Sequence, residues 1–183
     1  VEYPSVSTVT SIFSDFSRVP PNVLEAKRQI GKATHKAIEL YSAGELDPDS
    51  VDEAIAPYFE SWIRFIATKP LRVIAAERIV YSKKYRVAGR LDLIVEFQDS
   101  PDWWLIDCKC TYDMATETSL QTSAYAFCWN ENEAMKVKNR AGVQLQSDGS
   151  LAKFYPYTER NDFNVFRCAL ACYQWQRNNG GKK

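Results

Sequence analysis

VAGRLDLIVEF (residues 87–97), QDSPD (98–102) and WWLIDCKC (103–110) decide how this chain folds. Val, Ile, Leu and Trp make strands of the two outer pieces, and QDSPD is a turn cluster between them. The second strand is apolar on both faces, which places it in the middle of a sheet. Five charged residues break these apolar runs, and Asp92, Asp107 and Lys109 are the ones that matter here. Side chains alternate along a strand, so Asp107 and Lys109 point to the same face. Asp92 sits among Leu91, Leu93 and Ile94. Counted outward from Ser100, Asp92 is eight residues back and Asp107 seven forward. Paired through the turn, the two aspartates are near-opposite to within a one-residue bulge, with Gly89 as its candidate.

Packing alone is a poor reason for these charges. A charge among apolar side chains is costly, and a buried ion pair adds little net stability. Two nearby carboxylates repel each other unless a cation lies between them. Mg²⁺ or Mn²⁺ suits such oxygen ligands. An adjacent lysine can hold a water or offset a developing negative charge. This is equipment for metal-assisted hydrolysis of a phosphodiester.

Outward from these strands, Leu71–Ser82 and Tyr85–Phe97 read as a hairpin turning at 82–84. Upstream, Ile30, Ala33, Thr34, Ala37, Ile38 and Tyr41 repeat at helical spacing and predict a helix over 23–42, closed by Gly44. Ser50 and Glu53 form a possible capping box for a second helix to Thr68, kinked by Pro57. Residues 1–22 read as irregular. Downstream, a helix is expected over 116–134, strands near 141–147 and 151–157 joined by Ser147–Ser150, and a last helix over 162–178. The whole is expected to be one α/β domain over 1–183.

Composition narrows the function. The 23 basic residues balance 23 acidic ones. That argues against a polybasic tail protein and leaves room for a local basic groove. No apolar run reaches the roughly 18 residues a membrane span needs, and the first residues lack a secretory pattern. Five scattered cysteines, an odd number, read as reduced thiols. A cytoplasmic location is therefore expected.

Gly89-x-x-Asp92 followed by Asp107-Cys108-Lys109 resembles the PD-(D/E)XK nuclease superfamily. Two more elements resemble its RecB-like branch: Gln121-x-x-x-Tyr125 in the next helix and Gly31-x-x-x-His35 in an upstream one. The four occur in the family's order over residues 31–125, and the opening YPSVSTV looks like the start of small phage-encoded members. The resemblance implies a restriction-endonuclease-like fold, a mixed sheet flanked by helices. It implies a metal-dependent nuclease acting on DNA, with exonuclease activity favoured over endonuclease, in phage or bacterial recombination, repair or degradation. Asp92, Asp107 and the Cys108 backbone carbonyl would hold Mg²⁺ or Mn²⁺, and Lys109 would position the attacking water. His35 would be a further ligand, which favours Mn²⁺ tolerance. Gln121 and Tyr125 share a helix face and would contact DNA.

Arg90, two residues from Asp92, is the basic side chain singled out for DNA contact. Glu77 on the first strand is a possible extra carboxylate, although an ordinary salt-bridged strand residue is the simpler reading. Lys83, Lys84 and Arg86 add positive charge before Asp92. Some RecB-like nucleases hold an iron–sulfur cluster with four cysteines, one of them upstream of the nuclease motifs. Here no cysteine precedes Cys108, so no cluster is expected. A recombinase or single-strand-binding partner and an oligomer fit the resemblance. A non-catalytic DNA-binding or host-interaction module is the competing reading.

Overall fold

The computed structural model describes residues 3–15 and 17–180. In chain order its elements are α1 (Val6–Thr10), α2 (Pro21–Ala43), α3 (Ala56–Thr68), β1 (Leu71–Ser82), β2 (Val87–Phe97), β3 (Trp103–Lys109), α4 (Glu117–Asn132), β4 (Val137–Gln144), β5 (Lys153–Pro156) and α5 (Asp162–Asn179). The strands make one mixed sheet in the order β1-β2-β3-β4-β5, with β3 at the centre, as its two apolar faces require. Neighbours are antiparallel except β3 and β4, which run parallel with α4 as the crossover. This is the expected α/β, restriction-endonuclease-like architecture. No described helix is long and apolar enough to cross a membrane.

Each face of the sheet carries its own core. On one side Val6, Val9, Leu91, Ile94, Leu105, Tyr125, Trp129 and Phe166 join α1, α4 and α5 to the strands. On the other, Ile38, Trp62 and Phe65 of α2 and α3 cover Leu93, Val95, Phe97, Ile106 and Val143. The part-buried Arg140–Asp162 pair, 3.0 Å apart, ties β4 to α5, and Arg140 also donates to the Ser119 carbonyl of α4 at 2.7 Å.

Several local expectations are corrected. Residues 1–22 are not wholly irregular: Ser5 caps α1 by accepting the Thr8 N–H, and Val6 and Val9 are fully buried. Pro57 does not kink α3. The helix begins at Ala56, so Pro57 lies in the first turn, where a missing N–H leaves no bond unmade. The Ser50–Glu53 capping box does not form, because the Ser50 hydroxyl donates back to the Asp47 carbonyl. β4 starts at Val137 and ends at Gln144, because Val137–Arg140 already pair with β3. Gly89 is not a bulge; it pairs regularly with Val80.

The β1–β2 register shifts between Val73 and Ala75, and the side-chain alternation of β2 breaks at Asp92. Val87 and Leu91 face the α4 core, whereas Leu93, Val95 and Phe97 face the α3 core. All five are odd-numbered, so the alternation slips by one residue at Asp92. Across the ladder, Ala76 pairs Leu93 and Arg78 pairs Leu91, and Glu77 between them has φ of 49°. A left-handed backbone at a side chain of this size costs on the order of 1–3 kcal/mol and concentrates at functional sites.

Candidate active site

The β2–β3 ladder runs from Glu96 opposite Trp103 to Leu93 opposite Ile106 and stops. One more step would set Asp92 opposite Asp107. Side chains take over there. Asp92 Oδ2 accepts the Cys108 N–H at 2.7 Å, and His35 Nε2 lies 2.9 Å from the Cys108 carbonyl oxygen. The strands part, and α2 brings His35 into the fork.

His35 Nδ1 lies 3.4 Å from Glu77 Oε1 and 3.5 Å from Asp92 Oδ1. The three side chains offer ligand atoms within 4.8 Å of one another. They line a cavity of about 10 Å³ with Ile38, Ala76 and Cys108, room for about one water-sized occupant. Burial disfavours a charged His35, but Asp92 and Glu77 outweigh it and push the ring up to about 9. Burial raises Asp92 to about 7, with His35 pulling the other way and Asp107 adding to the rise.

On the α4 side, Asp107 and Lys109 share a face as alternation requires. Asp107 is fully buried, and neither of its oxygens accepts a hydrogen bond of normal geometry. Lys109 Nζ stands 2.6 Å from Oδ2. Burial opposes the ammonium charge, yet Asp107 and Asp92 hold its pKa above the usual lysine range. Lys109 donates to Gln121 Oε1 at 3.4 Å, and Gln121 Nε2 donates to the Tyr125 hydroxyl at 3.1 Å. Tyr125 is only 3% exposed, and its ring fills the space beside Gly89, where a Cβ would stand 2.6 Å from Cε1. Gly89 thus admits the tyrosine.

The donor set fits a hard divalent cation. Two carboxylates and an imidazole suit Mn²⁺ or Mg²⁺, and the orphaned oxygen of Asp107 is a buried acceptor lacking a partner. The structure gathers His35, Glu77 and Asp92 as one group and sets Asp107 beside Lys109. Arg90 lies at the mouth, exposed, 3.8 Å from Glu77 Oε2. Glu77 thus has the salt-bridge partner of the simpler reading and also stands in the ligand cluster. Its place cross-strand from Asp92 was the signal for the second role.

The sequence pattern of the PD-(D/E)XK nuclease superfamily matches residues 14–171. The chain belongs to that superfamily. No curated protein matches it in sequence. Among solved structures, this PD-(D/E)XK chain is similar to LHK-Exo in complex with dAMP, with a TM-score of 0.52 and 11% identity over 96% of this chain and 88% of that one. It is also similar to an alkaline exonuclease (LHK-Exo) from Laribacter hongkongensis, with a TM-score of 0.45 and 13% identity over 98% of this chain and 94% of that one. At these identities the first likeness speaks for the shared fold.

Proposed function

We propose that this protein is a metal-dependent deoxyribonuclease that hydrolyses phosphodiester bonds as an exonuclease, with Mg²⁺ or Mn²⁺. The observation that carries the reading is the fork of β2 and β3. It sets the His35–Glu77–Asp92 cluster beside buried Asp107, which pairs with Lys109 through one oxygen and leaves the other without a partner. Membership of a nuclease superfamily supports the hydrolysis. The exonuclease preference rests on the RecB-like motifs, and the similar exonuclease structure with dAMP bound accords with it.

Asp92, Glu77 and His35 would hold the ion, with Asp107 and the Cys108 carbonyl completing the set. A bound divalent cation supplies Lewis acidity toward a phosphoryl oxygen and lowers the pKa of a water. Lys109, kept charged by Asp107 and Asp92, orients the attacking water and offsets the negative charge that builds as phosphorus gains an oxygen. Gln121 fixes the ammonium and lies where it can meet DNA. Buried Tyr125 acts through Gln121 as a positioning residue. Arg90 contacts a phosphate at the mouth. The P–O bond breaks, the leaving oxygen takes a proton, and no covalent intermediate forms. A role in phage or bacterial DNA recombination, repair or degradation, with a recombinase or single-strand-binding partner, rests on the family resemblance.

The test incubates the protein with end-labelled linear and closed circular DNA, single- and double-stranded, in Mn²⁺, Mg²⁺ or EDTA, beside Lys109→Ala. Metal-dependent loss of linear DNA, with circles spared and the variant silent, is expected. Cut circles would change exonuclease to endonuclease. No cleavage by the folded protein under either metal would overturn the enzymatic reading in favour of a binding module.

A further inference from the structure

The turn between β1 and β2 and the outer face of α5 enclose a cleft of about 520 Å³ lined by Lys84, Tyr85, Arg86, Asn164, Arg167 and Cys168. Lys84, Arg86 and Arg167 are exposed, and among the described residues none pairs with a carboxylate. The nearby acid, Glu131, is engaged elsewhere. It accepts from the Ser82 hydroxyl at 2.6 Å and from the Lys83 N–H at 3.0 Å, which anchors the hairpin to α4. Lys84 Nζ and the Arg167 guanidinium lie 5.3 Å and 5.2 Å from the centre of the Tyr85 ring. Three like charges therefore surround one cleft on a chain with no net charge. A bound anion would meet three cations there and ease their mutual repulsion. Arg86 closes the β1–β2 turn with a φ of 54° and so stands at the edge of the cleft.

The cleft is placed to serve the same substrate as the active site. Arg86 precedes Asp92 by six residues, at most about 20 Å along a strand, and about six base pairs of duplex cover that distance. The helix beneath it, α5, packs on α4, which carries Gln121 to Lys109.

We propose that this cleft is a second phosphate-contact site, holding the DNA backbone within about 20 Å of the bond to be cut. The proposal rests on the nuclease reading for its choice of polyanion. Lys84, Arg86 and Arg167 contact phosphates as point charges without reading sequence, and Tyr85 holds two of them apart.

The test measures binding of a fluorescein-labelled 20-base-pair duplex in EDTA, where nothing is cleaved, across a salt series. Lys84→Glu with Arg167→Glu is expected to weaken binding at least 10-fold. It should lower the slope of log affinity against log salt by about two, roughly 0.9 per lost phosphate contact, with Tm unchanged. Milder Lys84→Gln and charge-preserving Arg167→Lys control for folding: the first should lose about one unit of slope and the second none. Alkylation of Cys168, followed by mass spectrometry, should slow when DNA is bound. Wild-type binding with the same slope in the charge-reversed variant, and Cys168 equally reactive in the complex, would overturn the site while leaving the nuclease reading intact. Poly-glutamate bound as tightly as DNA would overturn it in favour of an acidic protein partner. No wild-type binding would overturn it too, and the cleavage assay then judges the nuclease reading separately.

Discussion

The two halves of the candidate site are built in opposite ways. The lysine half, Asp107, Lys109, Gln121 and Tyr125, stands on an unbroken strand and an unbroken helix. Alternation along β3 pairs the first two, and helical spacing pairs the last two. The histidine half, His35, Glu77 and Asp92, exists because regularity fails. The β2–β3 ladder ends, the side-chain alternation of β2 switches faces at Asp92, and Glu77 takes a left-handed backbone. Regular structure aligns groups that share an element. Converging groups from three separate elements on one small cavity takes a defect. The defect removes a stretch of ladder, and the freed Cys108 N–H and C=O then need side-chain partners, which Asp92 and His35 supply.

The largest way to break this comparison is on the lysine side. Lys109→Met should lower cleavage by about 10³-fold, the scale of removing a group aimed at transition-state charge. It should also lower unfolding stability by about 3 kcal/mol, because Asp107 is left buried and uncompensated. Adding Asp107→Leu should restore stability and leave cleavage absent. Denaturant titrations of the single and double variants check this. Equal stability of the single variant and wild type would mean that the pair is not the unit described.

That contrast also explains what could be read in advance. Asp107 and Lys109 were legible because period-2 alternation holds through β3. The central place of that strand followed from its two apolar faces. The near-opposition of Asp92 and Asp107 followed from counting about one turn, but the irregularity went to Gly89 by glycine's usual association with bulges. Gly89 is instead shaped by Tyr125 from another element, a contact with no local signature. Glu77 carries no pattern of its own; its role depends on what lies across the ladder. The cover that α1 gives to α4 has no local signature either. Two buried valines in a five-residue helix are too few to show a period.

The histidine half is sharpened by pH and by Glu77→Gln. A metal ligand must be an unprotonated ring and an ionised carboxylate. The free protein holds a proton on His35 to about 9 and on Asp92 to about 7. Metal binding must therefore release protons, and affinity should rise with pH. The rise is steeper below about 7, where both groups give up a proton, and levels off above about 9. The sign reverses for the metal-free fold. Protonated His35 stabilises it below the ordinary ring value of 6.5, and that contribution is lost as pH climbs through about 9. Glu77→Gln removes a carboxylate that holds the ring charged, so the affinity curve should shift to lower pH. It should also weaken Mn²⁺ by about 10–100-fold if Glu77 supplies or orients a ligand. Calorimetry in buffers of different ionisation enthalpy reads both affinity and released protons. An unchanged curve would return Glu77 to a salt-bridge partner of Arg90 alone.

Two glycines give the smallest and most discriminating contrast, one for each half. Gly89 is filled by its neighbours: a methyl there would press on the Tyr125 ring at 2.6 Å. Gly89→Ala should therefore destabilise by about 1–3 kcal/mol through overpacking and disturb Gln121 and Lys109 with it. Gly31 is the reverse. It lies inside α2, one turn before His35, and an added Cβ meets nothing within 4 Å. Packing gives no reason for it, and glycine within a helix costs about 1 kcal/mol relative to alanine. Gly31→Ala should thus raise stability by about 1 kcal/mol. If the open space beside His35 admits substrate, the same methyl lowers cleavage while the fold gains. Thermal melts and cleavage rates measured on one preparation separate the two effects. A variant both more stable and fully active would show that the glycine serves neither packing nor passage. A variant more stable but slower would place the substrate's path along this turn of α2, on the histidine side of the fork.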